Sequence, residues 1–167
     1  EKALENLSYL RHSTNAHLHV DLIIGLPDAD ISIFRNDLNE LISIGLQEVQ
    51  VGILKLLKGT SIHQHIKPFE MEFDKIPPYE IISTKNIKSN QMIELRAFHK
   101  FFDKFYNSGN FQKSMKVLFE ISNPFDEFFA LSKFCHRRLK KTYGISLDQL
   151  CESLYFFLID ERGFLHK

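Results

Sequence analysis

An α/β segment followed by an all-α segment is the fold class this sequence predicts, and three observations predict it. Two short apolar, β-branched runs, His19 to Ile24 and Val49 to Leu54, are each preceded by a helical pattern. From Ser89 onward the periodicity is helical throughout. Between these parts Pro68, Pro77 and Pro78 punctuate a stretch too broken for a long helix. The expected divisions are therefore residues 1–60, a crossing loop at 61–88, and a helical part at 89–167.

The elements follow in order. Leu4, Leu7, Tyr9 and Leu10 recur at helical spacing before Asn15, a plausible stop. The run His19-Val20-Asp21-Leu22-Ile23-Ile24 ends at Gly25-Leu26-Pro27 and reads as a parallel strand buried on both faces. Ile31, Phe34, Leu38, Leu41 and Ile42 mark one face of a helix stopping near Gly45. The second run follows at once, an order that βα units feeding one parallel sheet produce. Two such strands cannot stand alone, so further strands are expected upstream. One short strand is expected near Glu80 to Ser83.

In the last part, Met92, Leu95, Phe98, Phe102 and Phe105 step by three or four towards Asn107-Ser108-Gly109. Phe111, Met115, Leu118 and Phe119 form a shorter helix before Asn123-Pro124. Phe125, Phe128, Phe129, Leu131, Cys135 and Leu139 form a third, expected to end at Gly144. Ser146 with Gln149 is a capping box that opens a fourth. Of the 16 phenylalanines only Phe34, Phe69 and Phe73 precede residue 89, and stripes at helical spacing read as core.

Composition narrows the function classes. The 21 basic and 21 acidic side chains cancel, while 25% charged and 44% hydrophobic residues exclude a disordered polyelectrolyte. A dedicated DNA-binding module would carry a basic excess, so no nucleic-acid partner is expected. No apolar run is long enough for a membrane span. The first residue is Glu1, with no signal-peptide pattern, which suggests a segment of something longer. Cys135 and Cys151 each sit in an apolar helical pattern, form no CxxC knuckle, and suit a reducing cytoplasm as small buried hydrophobes.

Chemistry-bearing candidates are few. In parallel sheets ligands bind beyond the carboxyl ends of strands, which here means Gly25-Leu26-Pro27-Asp28 and Leu54 to Thr60. Gly25 would permit close backbone approach. Lys55 and Lys58 could face an anion, and Gly59-Thr60 could open a short helix with Thr60 as its N-cap. His17 and His19 share a strand face and His63 and His65 share the same spacing, yet neither pair completes a four-ligand set, so no metal is expected. Ser83-Thr84-Lys85 could line a pocket mouth, against the plainer reading of a surface loop. No GxSxG elbow, Walker loop or HExxH occurs, which leaves an independent hydrolase or transferase without a catalytic constellation.

The strand His19-Val20-Asp21-Leu22-Ile23-Ile24-Gly25-Leu26-Pro27, the helix after it, and the strand and loop from Val51 to Lys58-Gly59-Thr60 resemble the fifth and sixth βα units of a radical S-adenosylmethionine (SAM) partial barrel. Pro77-Pro78-Tyr79-Glu80-Ile81-Ile82-Ser83-Thr84-Lys85 and Tyr106-Asn107-Ser108-Gly109 resemble a narrower group, cobalamin-binding-domain radical SAM proteins with a helical C-terminal domain. Members of that group are often labelled anaerobic magnesium-protoporphyrin monomethyl ester oxidative cyclase-like. The resemblance implies a partial TIM-type barrel ending within residues 1–60 and a parent that holds S-adenosylmethionine, a four-iron (4Fe-4S) cluster and cobalamin. It implies that Ile23, Gly25 and Pro27 support the cofactor's adenosyl and methionyl parts, and that Gly52, Ile53 and Leu54 offer backbone to the adenine edge.

The family's CxxxCxxC cluster loop is absent here, and Cys135 and Cys151 cannot replace it. The expected reading is thus the C-terminal part of a radical SAM oxidoreductase, inactive and cofactor-free alone, partnered by upstream domains and a small-molecule substrate. The alternative is a non-catalytic helical interaction domain that binds a partner through exposed phenylalanines, and burial discriminates the two. An open half-sheet would also expose apolar edges, so a homodimer is expected.

Overall fold

A computed structural model describes residues 2–164. Helix α1 (Lys2–Ser13) leads into strand β1 (His19–Ile24), helix α2 (Ile31–Ile44) and strand β2 (Glu48–Ile53). A 3-10 turn (Ser61–His65) and two short strands, β3 (Glu72–Phe73) and β4 (Ile81–Ser83), fill the crossing segment. Four helices follow: α3 (Ser89–Phe102), α4 (Gln112–Phe119), α5 (Pro124–Leu139) and α6 (Leu147–Phe156). Both α3 and α6 run on into π-helical turns, at Asp103–Asn107 and Phe157–Glu161. The architecture is mixed α/β, mostly helical, with little sheet. Among the described residues no helix is long and apolar enough to cross a membrane.

Local chemistry sets most boundaries. Asp30 Oδ1 accepts from Ile33 N–H at 2.9 Å to open α2, and Gly45 closes it in the left-handed region at φ 73°. Asn123 Oδ1 accepts from Asp126 N–H at 3.0 Å, with Pro124 in the first helical turn of α5. The expected capping box is present on α6, where Ser146 and Gln149 exchange side-chain to backbone hydrogen bonds, both at 3.2 Å. The expected end of α5 at Gly144 is overturned. The helix stops at Leu139, because Lys140 takes a left-handed conformation and its N–H donates to His136 O at 2.9 Å.

Strands β1 and β2 pair in parallel with Val20 opposite Val49, Leu22 opposite Val51 and Ile24 opposite Ile53. These six residues share one face, onto which α2 packs from β1 and α3 from β2. Val49, Val51 and Ile24 are buried there. The opposite face carries His19, Asp21, Glu48 and Gln50, with His19 and Asp21 exposed. The expectation of a strand buried on both faces is therefore corrected: helices cover one face only, and the odd positions of β1 are the exposed His19 and Asp21 followed by the half-buried Ile23. The crossing segment also holds one strand more than expected, since β3 in the acidic-aromatic stretch pairs antiparallel with β4.

The two edges of this sheet differ. Asn107, at the end of the π-turn after α3, behaves as a surrogate strand for β2. Its Oδ1 accepts from Val49 N–H at 3.3 Å and its Nδ2 donates to Val49 O at 3.1 Å. His99 Nδ1 donates to Val51 O at 2.5 Å. The outer edge of β2 is thus closed by side chains, whereas β1 has no strand on its far side among the described residues.

One continuous core unites the divisions read from sequence. Phe98 sits at its centre, with ring centroids 5.7 Å from Phe34 of α2, 5.6 Å from Phe102, and 5.5 and 5.1 Å from Phe125 and Phe128 of α5. The edge-to-face and offset contacts are those favoured by the aromatic quadrupole. Arg35 pairs with Asp126, and Phe125 N–H donates to Asn39 Oδ1 at 2.8 Å, fixing α2 against α5. Glu127, nearly buried, is held by Arg162 Nε at 2.7 Å.

Candidate functional site

Beyond the carboxyl ends of β1 and β2 lies a cavity of about 510 Å³, within the usual range for ligand pockets. Asp21, Ile23, Gln50 and Gly52 bring the bare sheet face into it; Leu54, Lys55 and Thr60 come from the loop after β2. Glu80, His99 and Lys100 close the side formed by the crossing segment and α3. A second cavity of about 360 Å³ adjoins it, sharing Ile53, Glu80, His99 and Lys100 and adding Arg96 and His136. Apolar wall and a few titratable groups converge here, as ligand sites require.

His99 is the best-defined of these groups. Burial, followed by the neighbouring Lys100, holds its pKa below the ordinary histidine value. With a carbonyl as its partner, Nδ1 must carry the proton, so the neutral ring leaves Nε2 as an acceptor. Arg96 is anchored by Nη2 donating to Ile81 O at 2.7 Å, with its Nε 3.7 Å from Glu80 Oε2. That Nε is sealed from solvent without a hydrogen-bond partner among the described residues.

The residues expected from the sequence fall as follows. Ile23, Gly52, Ile53 and Leu54 line the cavity. Gly25 is buried behind it at φ 90°, and a Cβ there would lie 2.7 Å from Ile81 Cγ2; the missing side chain makes room for β4. Pro27 lies in the turn where Ala29 N–H donates to Leu26 O and Asp28 takes φ 62°. The backbone of Leu54 is engaged twice, its N–H donating to Ile24 O at 3.0 Å and its carbonyl accepting from Ile81 N–H at 2.9 Å. Leu54 therefore meets the cavity mainly through its side chain.

Other candidates take plainer roles. Lys55 lines the cavity but Lys58 does not. Thr60 precedes the 3-10 turn without capping it; its hydroxyl donates backwards to Leu57 O at 2.8 Å. Thr84 Oγ1 accepts from Asn86 and Ile87 N–H at 3.2 and 3.0 Å, forming a tight turn, and neither Ser83, Thr84 nor Lys85 reaches the strand-end cavity. His19 bridges Asp21 and Glu48 on the bare face at 3.1 and 3.2 Å, and His17 lies 3.6 Å from the same Glu48. Hydrogen bonding to Glu48 and then Asp21 raises the His19 pKa. Among the described residues no three His, Cys, Asp or Glu side chains converge as a metal set.

His99, Glu80 and Arg96 were not singled out as a site from the sequence. His99 follows Phe98 at the border of an apolar stripe, where a histidine carries no signal of its own until β2 is seen beside it. A larger cavity of about 790 Å³ lies near the opposite ends of the strands, between Gly45-Leu46-Gln47 and Tyr106, Met115 and Phe119. Its size does not make it the better candidate. Arg11 Nε there donates to Gly45 O at 2.7 Å and Tyr106 to Leu46 O at 3.4 Å, so these two polar groups already serve the fold.

The geometry thus defines a mixed α/β protein whose ligand-sized cavity joins the strand ends to a helical part. The chain belongs to a family of proteins of unknown function (DUF4080), whose model matches residues 67–165. No curated protein matches it. The cavity is divided by that boundary: Glu80, His99 and Lys100 lie inside the matched region, and Asp21 to Thr60 lie before it.

Proposed function

We propose that this chain is the C-terminal part of a radical SAM iron-sulfur oxidoreductase of the cobalamin-linked kind, with β1 and β2 as the last strands of a partial TIM-type barrel. The observation that carries the reading is the sheet's asymmetry. Helices cover one face, the other carries His19, Asp21, Glu48 and Gln50 with Ile23 and Gly52 towards the strand ends, and Asn107 and His99 close the outer edge of β2 while no strand lies beyond β1 among the described residues. A parallel barrel's terminal strand needs that combination, because its lumen faces a ligand and its last edge must be satisfied without another strand.

On this reading the helical part closes the substrate end, the parent acts on a small molecule in the cytoplasm, and a tetrapyrrole cyclisation is the substrate extension of the resemblance. The strand-end cavity fits part of an adenosyl-containing cofactor in volume and in its apolar wall of Ile23 and Leu54. The chain does not fit an iron-sulfur cluster. Cys135 is fully buried, as expected, with its thiol pushed up to about 12 by burial, whereas the expectation of a buried Cys151 is corrected, since it is exposed on α6. Cluster and reductive cleavage would belong to other parts of the parent.

The rival interaction-domain reading needs a contiguous exposed phenylalanine patch. Among the described phenylalanines only Phe164 is largely exposed. The test is the polypeptide in which this chain occurs. A CxxxCxxC loop ahead of residue 1, with reduction-dependent formation of 5′-deoxyadenosine by the reconstituted anaerobic protein, is the expected result; a parent without that loop would refute the reading.

A further inference from the structure

We propose that His99 is the ligand-contacting acceptor of the strand-end cavity, receiving an O–H or N–H from a ligand whose body is apolar. The inference rests on that cavity being the ligand site, but not on the chemistry of the parent. Three observations carry it. First, Val51 O binds Nδ1 at 2.5 Å and so fixes both ring orientation and tautomer, leaving the Nε2 lone pair as the ring's unused function. Second, Nε2 has no hydrogen-bond partner among the described residues, yet it is not sealed from solvent, as Arg96 Nε is. Third, the ring stands where the 510 and 360 Å³ cavities meet, so the free nitrogen has space beside it.

The surroundings select the ligand class. Ile23, Ile53, Leu54 and Ile62 give the larger cavity an apolar wall, which suits a ligand whose body is apolar. Lys100 from α3 lowers the basicity of His99, while Glu80 before β4 and Asp103 after α3 act in the opposite direction. Lys55 after β2, Asp21 on β1, Arg96 on α3 and His136 on α5 complete the charged and titratable groups around the two cavities. Burial, with Lys100, outweighs the Val51 hydrogen bond, Glu80 and Asp103, and holds the His99 pKa below the ordinary histidine value. A neutral acceptor over an apolar wall matches a phenol-like or azole-like donor.

An edge-sealing role alone would need only the Nδ1 donor, and asparagine can supply that from the same position. The test therefore uses phenol as probe, toluene as its donor-free counterpart, and ¹⁵N spectroscopy of the histidine rings of the whole protein. The expected result is a His99 with protonated Nδ1 and bare Nε2 through neutral pH, whose Nε2 resonance shifts on adding phenol and not on adding toluene. H99N should keep the fold and bind phenol about tenfold more weakly, the worth of one hydrogen bond. A proton on Nε2, an Nε2 resonance indifferent to phenol, or equal displacement by toluene would each overturn the proposal. The wild-type spectra decide even where H99N fails to fold. None of these outcomes bears on whether the parent carries a CxxxCxxC loop, so failure here is separable from failure of the barrel reading.

Discussion

Helices α1 and α3 have comparable amphipathic sequences and opposite fates. Not one residue of α1 is buried, Tyr9 is 68% exposed, and among the described residues its one substantial neighbour is α2. Helix α3 buries Met92, Leu95, Ala97, Phe98, Phe101 and Phe102 between β2, β4 and α5. The sheet repeats the contrast, with β2 closed by Asn107 and His99 and no strand beyond β1 among the described residues. Periodicity says that a segment is helical and which face is apolar; what covers that face depends on elements far away in the chain. The open side of this molecule, α1 and the β1 edge, is where a further βα unit or a second copy would add.

Four measurements test this contrast between the closed and open sides. The largest effect should come from Phe98→Ala, which empties the meeting point of α2, α3 and α5 and is expected to cost about 3–5 kcal/mol in denaturant unfolding. Leu10→Ala in α1 should stay within about 0.5 kcal/mol. Similar values for the two would erase the distinction between the closed and open sides.

Gly25→Ala should cost about 2–4 kcal/mol, since it combines a left-handed backbone with overpacking against Ile81. Ile81→Ala in the same background should be less than additive with it, because the clashing methyl is gone. Full additivity would mean that β4 does not press on Gly25.

Asn107→Leu leaves the N–H and C=O of buried Val49 unpaired and should cost about 1–3 kcal/mol. It should also increase self-association in light scattering, because a second sheet edge becomes available. If the wild type is monomeric at high concentration, the open β1 edge does not drive pairing, and the expected homodimer is lost with it.

The smallest effects are those of pH, and the two histidines should act with opposite sign. His99 is harder to protonate folded than unfolded, so its contribution is complete above the unfolded value of 6.5 and is lost as pH falls through its lower folded value. H99N should flatten the acid side of the stability curve. His19 is easier to protonate folded, so its contribution is complete below 6.5 and is lost as pH rises through its higher folded value. H19Q should flatten the neutral-to-alkaline side, and only slightly, because the Glu48 and Asp21 partners are solvent-exposed. Matching slopes from the two variants would contradict these assignments.

Residue order alone gave the two longer strands, the helices and most of their ends, though not β3. The stop of α2 at Gly45, the Asn123-Pro124 entry to α5 and the Ser146 capping box rest on contacts within a few residues, which local residue types dictate, and both longer strands were legible from their own apolar runs. The turn after β1 was legible for the same reason: a strand ending in Gly25-Leu26-Pro27 implies a turn at its carboxyl end. Tertiary structure alone decided which sheet face stays bare, why Gly25 must lack a side chain, and that His99 belongs to the cavity. Those depend on partners distant in the chain, 48 residues between Val51 and His99 and 58 between Val49 and Asn107. No local periodicity records such pairings, because they exist only once a packed core has brought α3 against β2.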